Sequence, residues 1–217
     1  MKTAIVIGAT GLVGSSLIDL LITDDQFGEV VVLSRRTIGR SSVKLREHII
    51  NFDRPQDWQH LVKGDVLFSA LGTTLKQAGS KDKQYQIDYT YQYQVAEAAA
   101  NQGVPLYILV SSPGANAGSS IFYTRIKGEL ERDVRKLSFF STYFIQPSLL
   151  HGKREKERFG EKLGYHLLQG LNAIGLFRKY RAINGETVAR AMIEASLEEK
   201  PGIHVVTLDQ IFQLAGE

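Results

Sequence analysis

The sequence predicts an α/β protein: a Rossmann-like, doubly wound parallel sheet with a small C-terminal substrate cap, all in one domain spanning residues 1–217. Three observations lead there. Short β-branched runs alternate with helix-period segments through the first two thirds of the chain. The first run enters a glycine-rich turn, Gly8-Ala9-Thr10-Gly11-Leu12-Val13-Gly14. The first, second, fourth and fifth runs are almost wholly apolar, as strands covered by helices on both faces must be.

The expected strands are residues 3–7, 30–33, 48–51, 66–70, 106–111 and 142–145, with helices at 11–21, 56–61, 83–101 and 122–137. Helical periodicity sets in at Leu12, directly after the glycines. In the helix at 83–101, Tyr85, Tyr89, Tyr93 and residues 96–100 offer apolar and aromatic surface. It serves either to pack on the sheet or as a dimer face, so the chain is read as monomer or homodimer. Phe122, Ile126, Leu130 and Val134 mark the buried stripe of the helix at 122–137. After Pro147 the rhythm changes to a charged stretch at 152–158, helices at 161–174 and 186–199 and a short strand at 204–207. That third is too small for a separate domain, and residues 151–185 are expected to close over a substrate.

At 217 residues, with 43% hydrophobic and 23% charged side chains, the composition is that of a globular chain with a substantial core. No apolar run approaches the roughly 18 residues of a spanning helix, so no membrane partner is expected. The opening residues are too short an apolar run for a signal peptide, which makes cytoplasmic the default location. With no cysteine and with five histidines lacking ligand spacing, no metal site is expected. A net charge of +3 without a clustered basic face argues against nucleic acid.

A glycine turn between strand and helix lets the backbone approach a pyrophosphate, whose charge then meets free N–H groups at the helix N-terminus. The second strand ends Ser34-Arg35-Arg36. A site built for NAD places an acid there, which would repel a 2′-phosphate, whereas guanidinium groups pair with one. The cofactor expected is therefore NADP(H). Asp53, after the third strand, either touches the adenine amine or caps the helix beginning near Pro55. The fourth strand runs into Ala70-Leu71-Gly72-Thr73-Thr74, small enough to lie against a cofactor ribose.

Tyr123 and Lys127 lie one helical turn apart, at the edge of the buried stripe. An ammonium near a phenol favours the phenolate and tunes the tyrosine for proton transfer. The fifth strand ends Ser111-Ser112-Pro113-Gly114, and a serine hydroxyl there can hold a carbonyl oxygen. Ser112 is the choice and Ser111 the alternate.

Together these residues resemble the short-chain dehydrogenase/reductase superfamily, whose glycine motif, serine and Y-x-x-x-K occur in this order. Gly8-Ala9-Thr10-Gly11, Ser34-Arg35-Arg36, Ala70-Leu71-Gly72-Thr73-Thr74 and Val110-Ser111-Ser112 look like its atypical branch of Tat-interacting-protein-like oxidoreductases. The resemblance runs to about Arg158. It implies NADPH binding, Tyr123 as proton donor or acceptor, Lys127 as its partner and Ser112 as carbonyl anchor. It further implies that Pro147 and Leu150 meet the nicotinamide end and that Arg158 lies near the cofactor. Two departures stand out: no asparagine follows the fourth strand, and Asp88 stands on the helix where other members often carry a proton-relay asparagine. The function expected is hydride transfer between NADPH and a small carbonyl or alcohol. The rivals are an NADPH-binding regulator, and an epimerase or flavin reductase on the same fold.

Overall fold

The computed structural model describes residues 1–151, 182–198 and 200–217. Its elements in chain order are β1 (Lys2–Ile7), α1 (Leu12–Leu21), β2 (Phe27–Ser34), β3 (Leu45–Ile49), α2 (Pro55–Trp58), β4 (Val66–Ser69), α3 (Leu75–Ala78), α4 (Lys81–Tyr85) and α5 (Tyr91–Asn101), followed by β5 (Leu106–Val110), α6 (Phe122–Val134), β6 (Ser141–Gln146), β7 (Leu150–His151), β8 (Ile183–Asn184), α7 (Gly185–Leu197), β9 (Gly202–Thr207) and α8 (Asp209–Leu214). Among the described residues every strand pairing is parallel, and the seven-stranded sheet runs β3-β2-β1-β4-β5-β6-β9. The fold class is as the sequence predicts.

Strand alternation divides the core between two faces. Ala4 and Val6 of β1 join Leu17, Ile18, Val188 and Met192 in a layer with α1 and α7. Ile5 and Ile7 join Trp58, Val95, Leu130 and Val134 in a layer with α2, α5 and α6. The strand order reverses between β1 and β4, which opens a crevice at the carboxyl ends of those strands.

Three differences from the sequence reading have local causes. The third strand begins at Leu45 rather than 48, because an edge strand carries charged residues on its open side and looks like loop. The expected helix at 83–101 is broken by a π turn at Gln86–Thr90 between α4 and α5, which no sequence period reveals. Helix α8 and the β7–β8 pair were not expected, being six and two residues long. The expected charged stretch at 152–158 and helix at 161–174 lie outside the described residues, as does nearly all of the expected cap.

Candidate active site

The glycine turn follows from backbone geometry. Gly8 has φ of +82°, and a Cβ there would stand 2.3 Å from the carbonyl carbon of Ala70. A Cβ on Gly14 would lie 2.2 Å from the Gly8 carbonyl oxygen. Glycine at these two places lets β1, α1 and the end of β4 meet without side chains between them. Gly11 is the N-cap residue of α1 with no side-chain cap, and Leu12 opens the helix. The N–H groups of that first turn are therefore oriented for an anion. Val13 and Gly14 are buried and act through packing.

Beside this turn lies a cavity of about 380 Å³, lined by Gly8, Ala9, Thr10, Leu33, Ser34, Arg35, Arg36, Phe52 and Leu71. The cradle that side chains would fill, the open helix terminus and the cationic rim fit a dinucleotide. A comparable cavity at edge strand β3, lined by Glu47, His48, Asp57 and Trp58 among others, holds none of the expected site residues.

The loop carrying the arginines is strapped on both sides. Arg40 donates to Asp19 at 2.9 and 3.1 Å and to Ser15 at 3.0 Å, while Glu47 accepts from Thr37 and from the Ile38 N–H. Ser34 is buried, and its hydroxyl donates to the Arg36 carbonyl at 2.6 Å, turning the chain so that both guanidinium groups are exposed.

Asp53 does not cap a helix, which corrects one of its two expected roles. The N-cap of α2 is Arg54, and the Asp53 Oδ1 instead accepts from Gln86 at 2.6 Å and Tyr91 at 2.7 Å. Gln86 opens the π turn and Tyr91 directly follows it, so the carboxylate is aimed by a segment distant in sequence. Burial, then the bond to Asp53, pushes the Tyr91 phenol up to about 12. A phenol near 10 in the unfolded chain and near 12 in the folded one gives stability that is fully present below pH 10 and lost as pH rises toward 12. The melting temperature of Tyr91→Phe is therefore expected to fall less steeply between pH 10 and 12 than that of wild type; parallel curves would refute the coupling.

Tyr123, Lys127 and Ser112 are not among the residues lining the cavity beside the glycine turn, and Lys127 is 3% exposed rather than at the edge of the stripe. Its ammonium is 3.9 Å from the Asp88 Oδ1, which also accepts the Thr73 N–H at 2.9 Å. A buried carboxylate partner explains how an ammonium enters the apolar stripe. Asp88, central in the π turn, thus ties the Gly72-Thr73 loop to the helix of the expected catalytic pair. Tyr123 is 39% exposed, one turn before Lys127 at the start of α6. The two serines part company. The Ser111 hydroxyl is buried and donates to Glu131, whereas Ser112 is half-buried and its hydroxyl reaches the Pro113 carbonyl at 3.3 Å. Pro147 is buried just after β6, and Leu150 begins β7 beside Ile183. Arg158 lies outside the described residues.

Sequence reasoning passed over Gln86, Tyr91 and Glu131. Glu131 was detectable: it follows Lys127 by four residues, a carboxylate beside an otherwise apolar stripe.

The parallel sheet, its reversal between β1 and β4 and the glycine turn beside it define an α/β protein of the Rossmann-like class. The chain belongs to the NAD dependent epimerase/dehydratase family, whose model matches residues 4–129, more than half its length. It is similar to Protein FMP52-1, mitochondrial, of Scheffersomyces stipitis, at 35% identity over 90% of this chain and 88% of that one. It is likewise similar to Protein FMP52, mitochondrial, of Candida glabrata, at 34% identity over 98% and 95% of the two chains. Among solved structures, UDP-glucose 4-epimerase of Thermotoga maritima superposes with a TM-score of 0.69 at 16% identity, covering 98% of this chain and 81% of that one. ADP-L-glycero-D-manno-heptose-6-epimerase of Helicobacter pylori gives 0.70 at 19% identity, covering 99% and 81%. These two likenesses support the fold. The relatives' mitochondrial names overturn the expectation of a cytoplasmic location. That default rested on composition and on the opening residues, and a globular domain's composition records how it folds in water rather than its address.

Proposed function

We propose that the protein is an NADP(H)-dependent oxidoreductase of the atypical short-chain dehydrogenase/reductase type, acting as one domain on a small carbonyl or alcohol. The observation that carries this reading is the half-exposed Tyr123 one turn from a buried Lys127. A binding protein needs no such proton donor with a charged neighbour. Tyr123 would give its proton to the substrate oxygen in reduction and take it back in the reverse direction. Lys127 would favour the resulting phenolate and bond the nicotinamide ribose, and the Ser112 hydroxyl would hold the substrate oxygen. A bound dinucleotide would supply or accept the hydride at the substrate carbon. Pro147 and Leu150 would border its nicotinamide, Ala70 to Thr73 its ribose, and Asp53 its adenine. The narrower likeness to the Tat-interacting-protein-like branch belongs to this reading.

The preference for the 2′-phosphorylated cofactor rests on the exposed guanidinium groups of Arg35 and Arg36 at the end of β2, where no carboxylate stands. Charge-assisted bonds to a phosphate are each worth about 1.5–3 kcal/mol, so Arg35→Ala/Arg36→Ala, which removes two such donors, is expected to weaken NADPH binding by roughly 10²- to 10⁴-fold. NADH binding should change little. Wild-type protein that prefers NADH would overturn the preference, the more pointedly because several structural neighbours are complexes with NAD.

A second reading, epimerisation on the same site, is favoured by the family match. There Tyr123 would take a proton from a substrate hydroxyl while an oxidised dinucleotide would accept the hydride from its carbon. Both would be returned, the hydride to the opposite face, with no net consumption of cofactor. Following NADPH absorbance alongside substrate stereochemistry separates the two readings.

A further inference from the structure

Below the expected catalytic pair on α6 lies a carboxylate that the proposed chemistry does not use. Glu131 is 5% exposed, on the stripe that carries Lys127 and Tyr123 one and two turns earlier. One of its oxygens, Oε1, accepts the Ser111 hydroxyl at 2.5 Å and the Gln146 amide at 2.9 Å. Arg135 lies 3.7 Å from the other oxygen. Ser111 directly follows β5, Gln146 ends β6, and the Ser111 N–H donates to Ile145 between them. Ser111 and Gln146 are themselves buried. An apolar side chain would fill this place beside Leu130 and Val134 without the cost of burying a charge. What a carboxylate adds is geometry: one atom fixes α6 against the ends of two neighbouring strands.

We propose that Glu131 is the positioning residue of the site. It sets Ser112, one residue beyond Ser111, and Pro147 to Leu150, directly beyond Gln146, relative to Tyr123 and Lys127. It also settles the roles of the paired serines, since the Ser111 hydroxyl is committed to Glu131 and Ser112 is left to face substrate. This inference rests on the proposed oxidoreductase reading, in which those residues meet the nicotinamide and the substrate oxygen.

The test separates the two ends of the cofactor. Dissociation constants for NADPH and for 2′,5′-ADP, which occupies the adenine end alone, are measured by calorimetry on wild type, Glu131→Ala, Glu131→Gln and Ser111→Ala, with thermal melts as the fold control. Losing a charged hydrogen-bond partner at the clamp is expected to weaken NADPH about 10-fold or more in Glu131→Ala and roughly 3- to 10-fold in Ser111→Ala, with 2′,5′-ADP unchanged. Glu131→Gln should return NADPH to within about 3-fold of wild type, because its amide oxygen still accepts both donors. If Glu131→Ala does not fold, Ser111→Ala and Glu131→Gln carry the result. Unchanged NADPH affinity in the alanine variants, or equal loss of both ligands, would overturn the role of Glu131. A wild type that binds 2′,5′-ADP and NADPH equally would overturn it too, by denying the nicotinamide end any share in binding. A wild type that binds neither ligand would overturn the oxidoreductase reading, and this inference with it.

Discussion

Gly14→Ala is expected to abolish dinucleotide binding, weakening it by about 100-fold or more, on the order of 3 kcal/mol, while leaving a folded protein. The added Cβ would stand 2.2 Å from the Gly8 carbonyl oxygen, 2.7 Å from its carbon and 3.0 Å from the Ala9 Cα. All three are backbone atoms, so no side chain can rotate away. The turn must open, and in opening it displaces the first N–H groups of α1 from the place a pyrophosphate would occupy. Forced overpacking of this kind costs about 1–3 kcal/mol, which a sheet buried on both faces can absorb. Calorimetric titration with NADPH alongside a thermal melt checks both halves. Wild-type affinity in a folded Gly14→Ala protein would show that the turn is merely a tight strand-to-helix connection.

Tyr123→Phe is expected to bind NADPH as wild type does and to lose turnover by about 10²- to 10⁴-fold, the usual contribution of a positioned proton donor. The substitution removes one oxygen at a half-exposed position, so fold and cofactor affinity should hold. The measurement is nicotinamide oxidation across a panel of aldehydes and ketones, with wild type and variant in parallel. Turnover that survives in Tyr123→Phe would point to hydride transfer needing no tyrosine proton, as in reduction of a flavin. Binding without turnover in either protein, on any substrate offered, would favour a cofactor-reporting regulator.

The elements that could be read in advance were those whose cause is local. Residues 3–7 and 106–111 were legible as covered strands because each is a continuous apolar run, and the structure buries Ile5, Ile7, Tyr107 and Leu109 completely. The glycine turn was legible because Gly8 and Gly14 answer a steric demand made within a few residues. The third strand was displaced by three residues because an edge strand needs only one covered side, which blurs its pattern. Asp53 shows the limit most clearly. Its neighbours Asn51 to Pro55 spell a helix cap, yet its oxygen is taken by Gln86 and Tyr91, more than thirty residues away.

The sequence by itself determined the parallel sheet, the glycine turn at the strand-order reversal, the two arginines after β2 and the helical spacing of Tyr123 and Lys127, because period, backbone sterics and charge act between near neighbours. Only the tertiary structure decided which polar groups share an interior. It put Lys127 beside Asp88, joined Asp88 to the Thr73 N–H, and gave the Ser111 hydroxyl to Glu131. The physical reason is that a buried charge must find its partner wherever the fold brings one, and that choice is made across elements rather than along the chain.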